Sequence, residues 1–156
     1  MNLRSRIIFA SLVIALATVS AAQAQEKKIK RAQLPAAVEK TVAEQSQGAT
    51  IKGFSTEIEK GKRVYEVAMT VGGHGKDILI DSKGNVIEVE EVVVMDSLSQ
   101  PVKDGLTKAA GTGTISKIES LTKSGTLVAY EAVVKRGAKH SEIQVGPNGE
   151  KLAHPE

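Results

Sequence analysis

The sequence predicts an α+β protein of two tandem units, each a helix followed by an antiparallel meander (αβββ or αββββ), with the helices packed on one face of the sheet. Three observations carry this expectation. Landmarks recur: Leu34-Pro35-Ala36-Ala37-Val38 opens one unit and Leu98-Ser99-Gln100-Pro101-Val102 the other, while Val64-Tyr65-Glu66-Val67 returns as Ala129-Tyr130-Glu131-Ala132. The offset is about 64 residues in the helical part and about 65 in the strands. After each opening the apolar period changes from that of a helix to that of a strand, and glycine-containing turns separate the strands.

Residues 1–24 are expected to be a signal peptide. Arg4 and Arg6 form its basic end, Ile7 to Val19 its apolar run, and Ala22-Gln23-Ala24 the small-x-small cleavage pattern. The run falls short of the roughly 20 residues that span a bilayer, so cleavage after Ala24 is favoured over a retained anchor. No cysteine sits nearby, which argues against a lipoprotein. The mature chain is expected in the periplasm or outside the cell, without stable membrane insertion.

Residues 25–33 are polar and basic without periodicity and read as a flexible lead. Residues 34–94 form the first unit. Pro35 suits a first helical turn, and Leu34, Val38 and Val42 make one stripe, so a helix is expected to about Gln47, stopped by Gly48. Phe54, Thr56 and Ile58 then alternate, and Lys60-Gly61-Lys62 turns the chain. Tyr65, Val67, Met69 and Val71 share the helix-facing side of the next strand, which leaves Glu66, Ala68 and Thr70 on the open side. A short strand from Lys76 to Asp81, a turn at Ser82 to Asn85, and a valine-rich strand from Val86 to Val94 complete the meander.

Residues 95–156 repeat the pattern. Pro101, Val102, Leu106 and Ala109/Ala110 give a shorter helix, weakened by Gly105 in its interior. Ile118, Ser120 and Thr122 alternate, Ser124-Gly125-Thr126 turns, and Val128, Tyr130, Ala132 and Val134 face the helix. Lys139 to Val145 comes next, then a strong turn at Gly146 to Gly149, and Glu150 to Ala153 is placed as a last edge strand. One unit of roughly 60 residues is marginal by surface-to-volume scaling, so the two are expected to share one core.

Composition excludes several classes. There are no cysteines, hence no disulfide, thiol chemistry or cysteine-bound metal. Of 21 lysines and arginines, Arg4 and Arg6 lie in the leader, leaving 19 against 18 acidic residues. Four more basic residues fall in the lead, so the folded part lacks the basic face a nucleic-acid binder needs. No nucleophile elbow, phosphate loop or His-Glu-x-x-His helix is present, so a non-enzyme is expected.

The Leu34-Pro35 helix start, the turn-strand pairs Gly61 to Val67 and Gly125 to Ala132, and the closing pairs Asp77 to Val86 and Glu142 to Leu152 together resemble the PepSY-like family. These are exported modules related in fold to the beta-lactamase-inhibitor protein. The resemblance covers nearly all of Leu34 to Leu152 and implies tandem units and a binding or inhibitory role, with restraint of a peptidase among the possibilities. The inhibitor itself has disulfides and an aromatic-rich concave face. The mature chain keeps only Phe54, Tyr65 and Tyr130 as aromatics, and hot spots favour such residues. Inhibition of a beta-lactamase does not carry over.

The expected function is an exported module that binds or restrains a protein or peptide through its open sheet face and adjoining turns. Arg63, Glu66, His74, Glu131, Arg136 and His140 are the candidate binding residues. One rival is an envelope sensor of a small ligand or metal, using His74, His140 and carboxylates such as Asp77 and Glu142; two histidines alone do not close a metal site, so no metal and no cofactor is assigned. Another rival is a hydrolase with a cryptic site. Tyr65 and Tyr130 are read as packing residues, Asp81 to Asn85 as a hairpin turn rather than a calcium loop, and Glu88, Glu90 and Glu91 as a solvated strand face.

Overall fold

Eight strands and two helices organise residues 26–156, the part of the chain that the computed structural model describes; the expected signal peptide and its expected cleavage site lie outside the described residues. In chain order they are β1 (Lys27–Ile29), α1 (Ala36–Gln45), β2 (Thr50–Glu59), β3 (Lys62–Val71), β4 (His74–Asp81), β5 (Val86–Val92), α2 (Gln100–Ala110), β6 (Thr114–Lys123), β7 (Thr126–Arg136) and β8 (Lys139–Val145). The strands form a single antiparallel sheet in the order β1 to β8. This is an α+β architecture.

Both helices are held by an apolar stripe. Val38 and Val42 of α1 are fully buried one turn apart, and Val102, Leu106 and Ala110 do the same for α2. A 3₁₀ turn precedes each helix, at Arg31–Gln33 and Met95–Ser97, and delivers Leu34 and Leu98 to the core side. The β2–β3 and β6–β7 hairpins close through Lys60-Gly61 and Ser124-Gly125, all four at positive φ. Two such residues in succession match the twist of the flanking strands.

Beneath α1, Val67, Met69, Ile78 and Ile80 close one cluster, with Tyr65 at 8 % exposure. Beneath α2, Ile118, Ala132 and Val145 close another, with Tyr130 packed against it. The helix side therefore carries two clusters rather than the single shared core expected. Continuity comes from the β5–β6 ladder, in which Val89 pairs with Thr122 and Glu91 with Ser120.

Gly105 has a packing reason. A Cβ there would collide with the Gly149 carbonyl, and one on Gly149 would collide with the Pro101 carbonyl. The turn after β8 thus lies directly on α2, at a cost of about 1 kcal/mol in helix propensity. The turn after β4 approaches α1 in the same way: a Cβ on Gly84 would meet the Ala37 oxygen at 2.7 Å, and Thr41 Oγ1 donates to the Gly84 carbonyl at 2.6 Å.

Two segments differ from expectation. The expected flexible lead is ordered over its described residues 26–33, because Lys27–Ile29 pairs with Thr56–Phe54 along the free edge of β2. A backbone ladder needs no side-chain period, and Ile29 packs on the first cluster while Arg31 forks onto Glu39 at 2.8–3.1 Å. The expected last strand at Glu150 to Ala153 reduces to one bridge, Val145 to Lys151.

Candidate functional site

Cross-strand register sorts every strand residue to one side. Tyr65 pairs with Ile80, and Val67 with Ile78, on the helix side. The opposite register brings Glu66 beside Leu79, Asp77 beside Glu90, Glu88 beside Lys123, and Glu119 beside Glu131. Neither helix covers this open face, whose residues join neither helix-side cluster. It nevertheless buries Val64, Leu79, Leu121 and Ala129, at 3, 7, 3 and 0 % exposure.

The open face is acidic across β3 to β7. Glu66, Asp77, Glu88, Glu90, Glu119 and Glu131 come from five consecutive strands, against Lys117 and Lys123 in the middle of the face and Lys62 and Lys135 at strand ends. Lys117 Nζ lies 2.6 Å from Glu119 Oε1, and Lys123 Nζ lies 3.7 Å from Glu88 and 3.9 Å from Glu156. The Glu156 N–H also donates to Gln144 Oε1, so the chain end reaches the rim of this face. Among the described residues, Glu66, Asp77, Glu90 and Glu131 form no ion pair within 4.0 Å. Ser55 donates to Glu66 at 3.0 Å and Gln144 to Glu131 at 2.7 Å.

At the centre, carboxylate oxygens of Asp77, Glu90 and Glu119 lie within 4.8 Å of one another. Glu119 is only 5 % exposed. Burial, followed by the charges of Glu119, Glu88, Glu131 and Asp77, pushes Glu90 up to about 7. Burial and Glu119 raise Asp77 as well. Burial raises Glu66 against the opposing Ser55 hydrogen bond, and raises Glu88 against Lys123. For Lys117, burial works against the charge, but the hydrogen bond and charge of Glu119 outweigh it and the ammonium is raised. Glu90 exchanges its proton near neutrality, and the cluster of carboxylates attracts cations. The three central carboxylates are the set among the described residues close enough to hold one metal ion together.

The structure divides the six candidate residues. Glu66, Glu131 and His140 lie in the open register. Arg63 shares parity with Tyr65 and pairs with Ile58 on the helix side, where its Nη1 donates to Thr56 Oγ1 at 3.3 Å. His74 pairs with Val71, also in the helix-side register. Arg136 follows Val134 in parity; its guanidinium donates to the Ala110 carbonyl at 2.8 Å and to Ser141 at 2.9 Å, capping the end of α2. These three are therefore not part of the open face. His74 on β4 and His140 on β8 are four strand spacings apart, roughly 19 Å, and on opposite sides, so no histidine-centred site assembles. Glu88 and Glu90, read as a solvated face, are half-buried instead.

No protein-family model and no curated protein matches the chain. Solved structures do. A beta-lactamase-inhibitor-protein-like (BLIP-like) protein from Bacteroides fragilis is 19 % identical, covering 76 % of this chain and 83 % of its own, with a TM-score of 0.57. A DUF2874 family protein from Bacteroides ovatus is 15 % identical over 76 % and 84 %, with a TM-score of 0.60. Another from Bacteroides uniformis is 15 % identical over 74 % and 84 %, with a TM-score of 0.59. The fold is BLIP-like. No helix among the described residues is long and apolar enough to cross a membrane.

Proposed function

We propose that this chain is an exported, non-enzymatic binding module of two tandem PepSY-like units, whose open sheet face binds or restrains a protein or peptide in the cell envelope. The observation that carries the reading is the open face itself: a broad surface that neither helix covers, lined by half-buried polar groups. A peptidase is the partner class to test first. The tandem reading is supported by contacts that recur at the sequence offset: the 3₁₀ turns, the positive-φ hairpins, and the glycine turns lying on each helix. Export rests on the leader at 1–24 and places the mature protein, from Gln25, in the periplasm or medium.

Affinity capture from envelope extracts tests this. Mature bait should retain a discrete partner, baits carrying Glu131→Lys or Val133→Arg on the open face should lose it, and Glu44→Lys on exposed α1 should keep it. Loss with Glu44→Lys alone would contradict the reading. A second reading, a cation-responsive module, is favoured by the approach of Asp77, Glu90 and Glu119. It expects a melting temperature that rises with a divalent ion and a rise that Glu90→Gln abolishes.

A further inference from the structure

We propose that the occupant of the open face is a basic segment of polypeptide, laying lysine or arginine side chains on the acidic lane that crosses β3 to β7. This rests on the reading of that face as the binding surface and names the chemistry of what it takes. The first support is charge complementarity. Six carboxylates crowd the middle of the face against Lys117 and Lys123, which already sit on Glu119 and Glu88, while Lys62 and Lys135 share the open register only at strand ends. Glu66, Asp77, Glu90 and Glu131, from β3, β4, β5 and β7, are left without an ion pair among the described residues.

The second support is that the face already takes alkylammonium groups. Lys117 places its Nζ 2.6 Å from Glu119, and the negative charges of Asp77 and Glu90 also favour its ammonium form. An incoming lysine meets the same kind of surroundings. Half-buried Ala68 and Val133 at the flanks give its methylene stem apolar surface to lie along.

The extent of the lane favours a chain over a single ion. From β3 to β7 there are four strand spacings, roughly 19 Å, which about six extended residues would cross. Cations arriving beside Glu90 face Glu119, Glu88, Glu131 and Asp77 as well as Lys117, and favour the ionised form of the carboxyls.

The test uses mature protein from Gln25 and a fluorescein-labelled decapeptide of alternating lysine and serine, with binding read by anisotropy. Expected is saturable binding that weakens at least about tenfold between about 50 and about 300 mM salt, is lost in Glu131→Lys, is reduced in the near-isosteric Glu131→Gln, and is unchanged in Glu44→Lys. No binding at low salt, or equal weakening by Glu44→Lys, overturns the proposal. So does a magnesium response at the lane without a peptide response. If a glutamate–serine or all-serine decapeptide binds instead and Val133→Arg abolishes it, the basic partner is overturned while the face stands. If every peptide binds elsewhere or not at all, the face falls too.

Discussion

Glu90→Gln should stabilise the protein above neutral pH and lose that advantage in acid. The Glu90 carboxyl is held at about 7 by burial and by Glu119, Glu88, Glu131 and Asp77, against an ordinary 4.5. The folded state thus binds a proton that the unfolded chain releases between these values, so this group favours folding below about pH 4.5 and loses that contribution as pH rises through 7. A shift of this size corresponds to about 3 kcal/mol at most. Glu90 is partly open to solvent, and screening halves this to roughly 1.5 kcal/mol. Glutamine keeps the shape and removes the charge, whereas Asp77, Glu66 and Glu88 remain in both proteins and largely cancel in the difference. Urea denaturation at pH 4.5 and pH 8 measures it. The variant should gain roughly 1–2 kcal/mol over the parent at pH 8 and little or nothing at pH 4.5. An equal difference at the two pH values, or a Glu90 carbon resonance titrating near 4.5, would refute the reasoning.

Gly105→Ala should destabilise the protein by about 1–3 kcal/mol, because the added methyl meets the Gly149 carbonyl; a gain of about 1 kcal/mol, as at an exposed helix position, would show that the turn does not bear on α2. Val67→Asp should abolish the folded circular dichroism spectrum, since it places a charge at a position of 0 % exposure, whereas Glu66→Lys should leave it intact. Arg136→Ala should cost about 1–2 kcal/mol and speed amide exchange at the end of α2, by removing the donor to Ala110; unchanged exchange there would contradict the capping role.

The strands were legible because one side of each is buried. Tyr65, Val67 and Met69 can point only at α1, and the two-residue turns at Lys60-Gly61 and Ser124-Gly125 fix where each hairpin reverses. The same parity places Arg63 with Tyr65 and Arg136 with Val134, so their assignment to the open face set proximity to a turn above register. The β1 strand carries no period because backbone pairing makes it and only Ile29 of its three residues packs on the core. Gly105 reads as a weak point until Gly149, far along the chain, is seen against it. The acidic lane was half legible: Glu66 and Glu131 fall in the open register by alternation. Their convergence with Asp77, Glu90 and Glu119 depends on β5 pairing with β6, a long-range choice that local periodicity does not encode.

The open face as the binding surface is tested most directly by a photo-crosslinking residue placed at position 133 on β7 or at position 44 on α1, in cells expressing the protein. A binding role for this face predicts a discrete crosslinked species from position 133, none from position 44, and its disappearance when Glu131→Lys is added. A partner captured from position 44 and not from position 133 would contradict it.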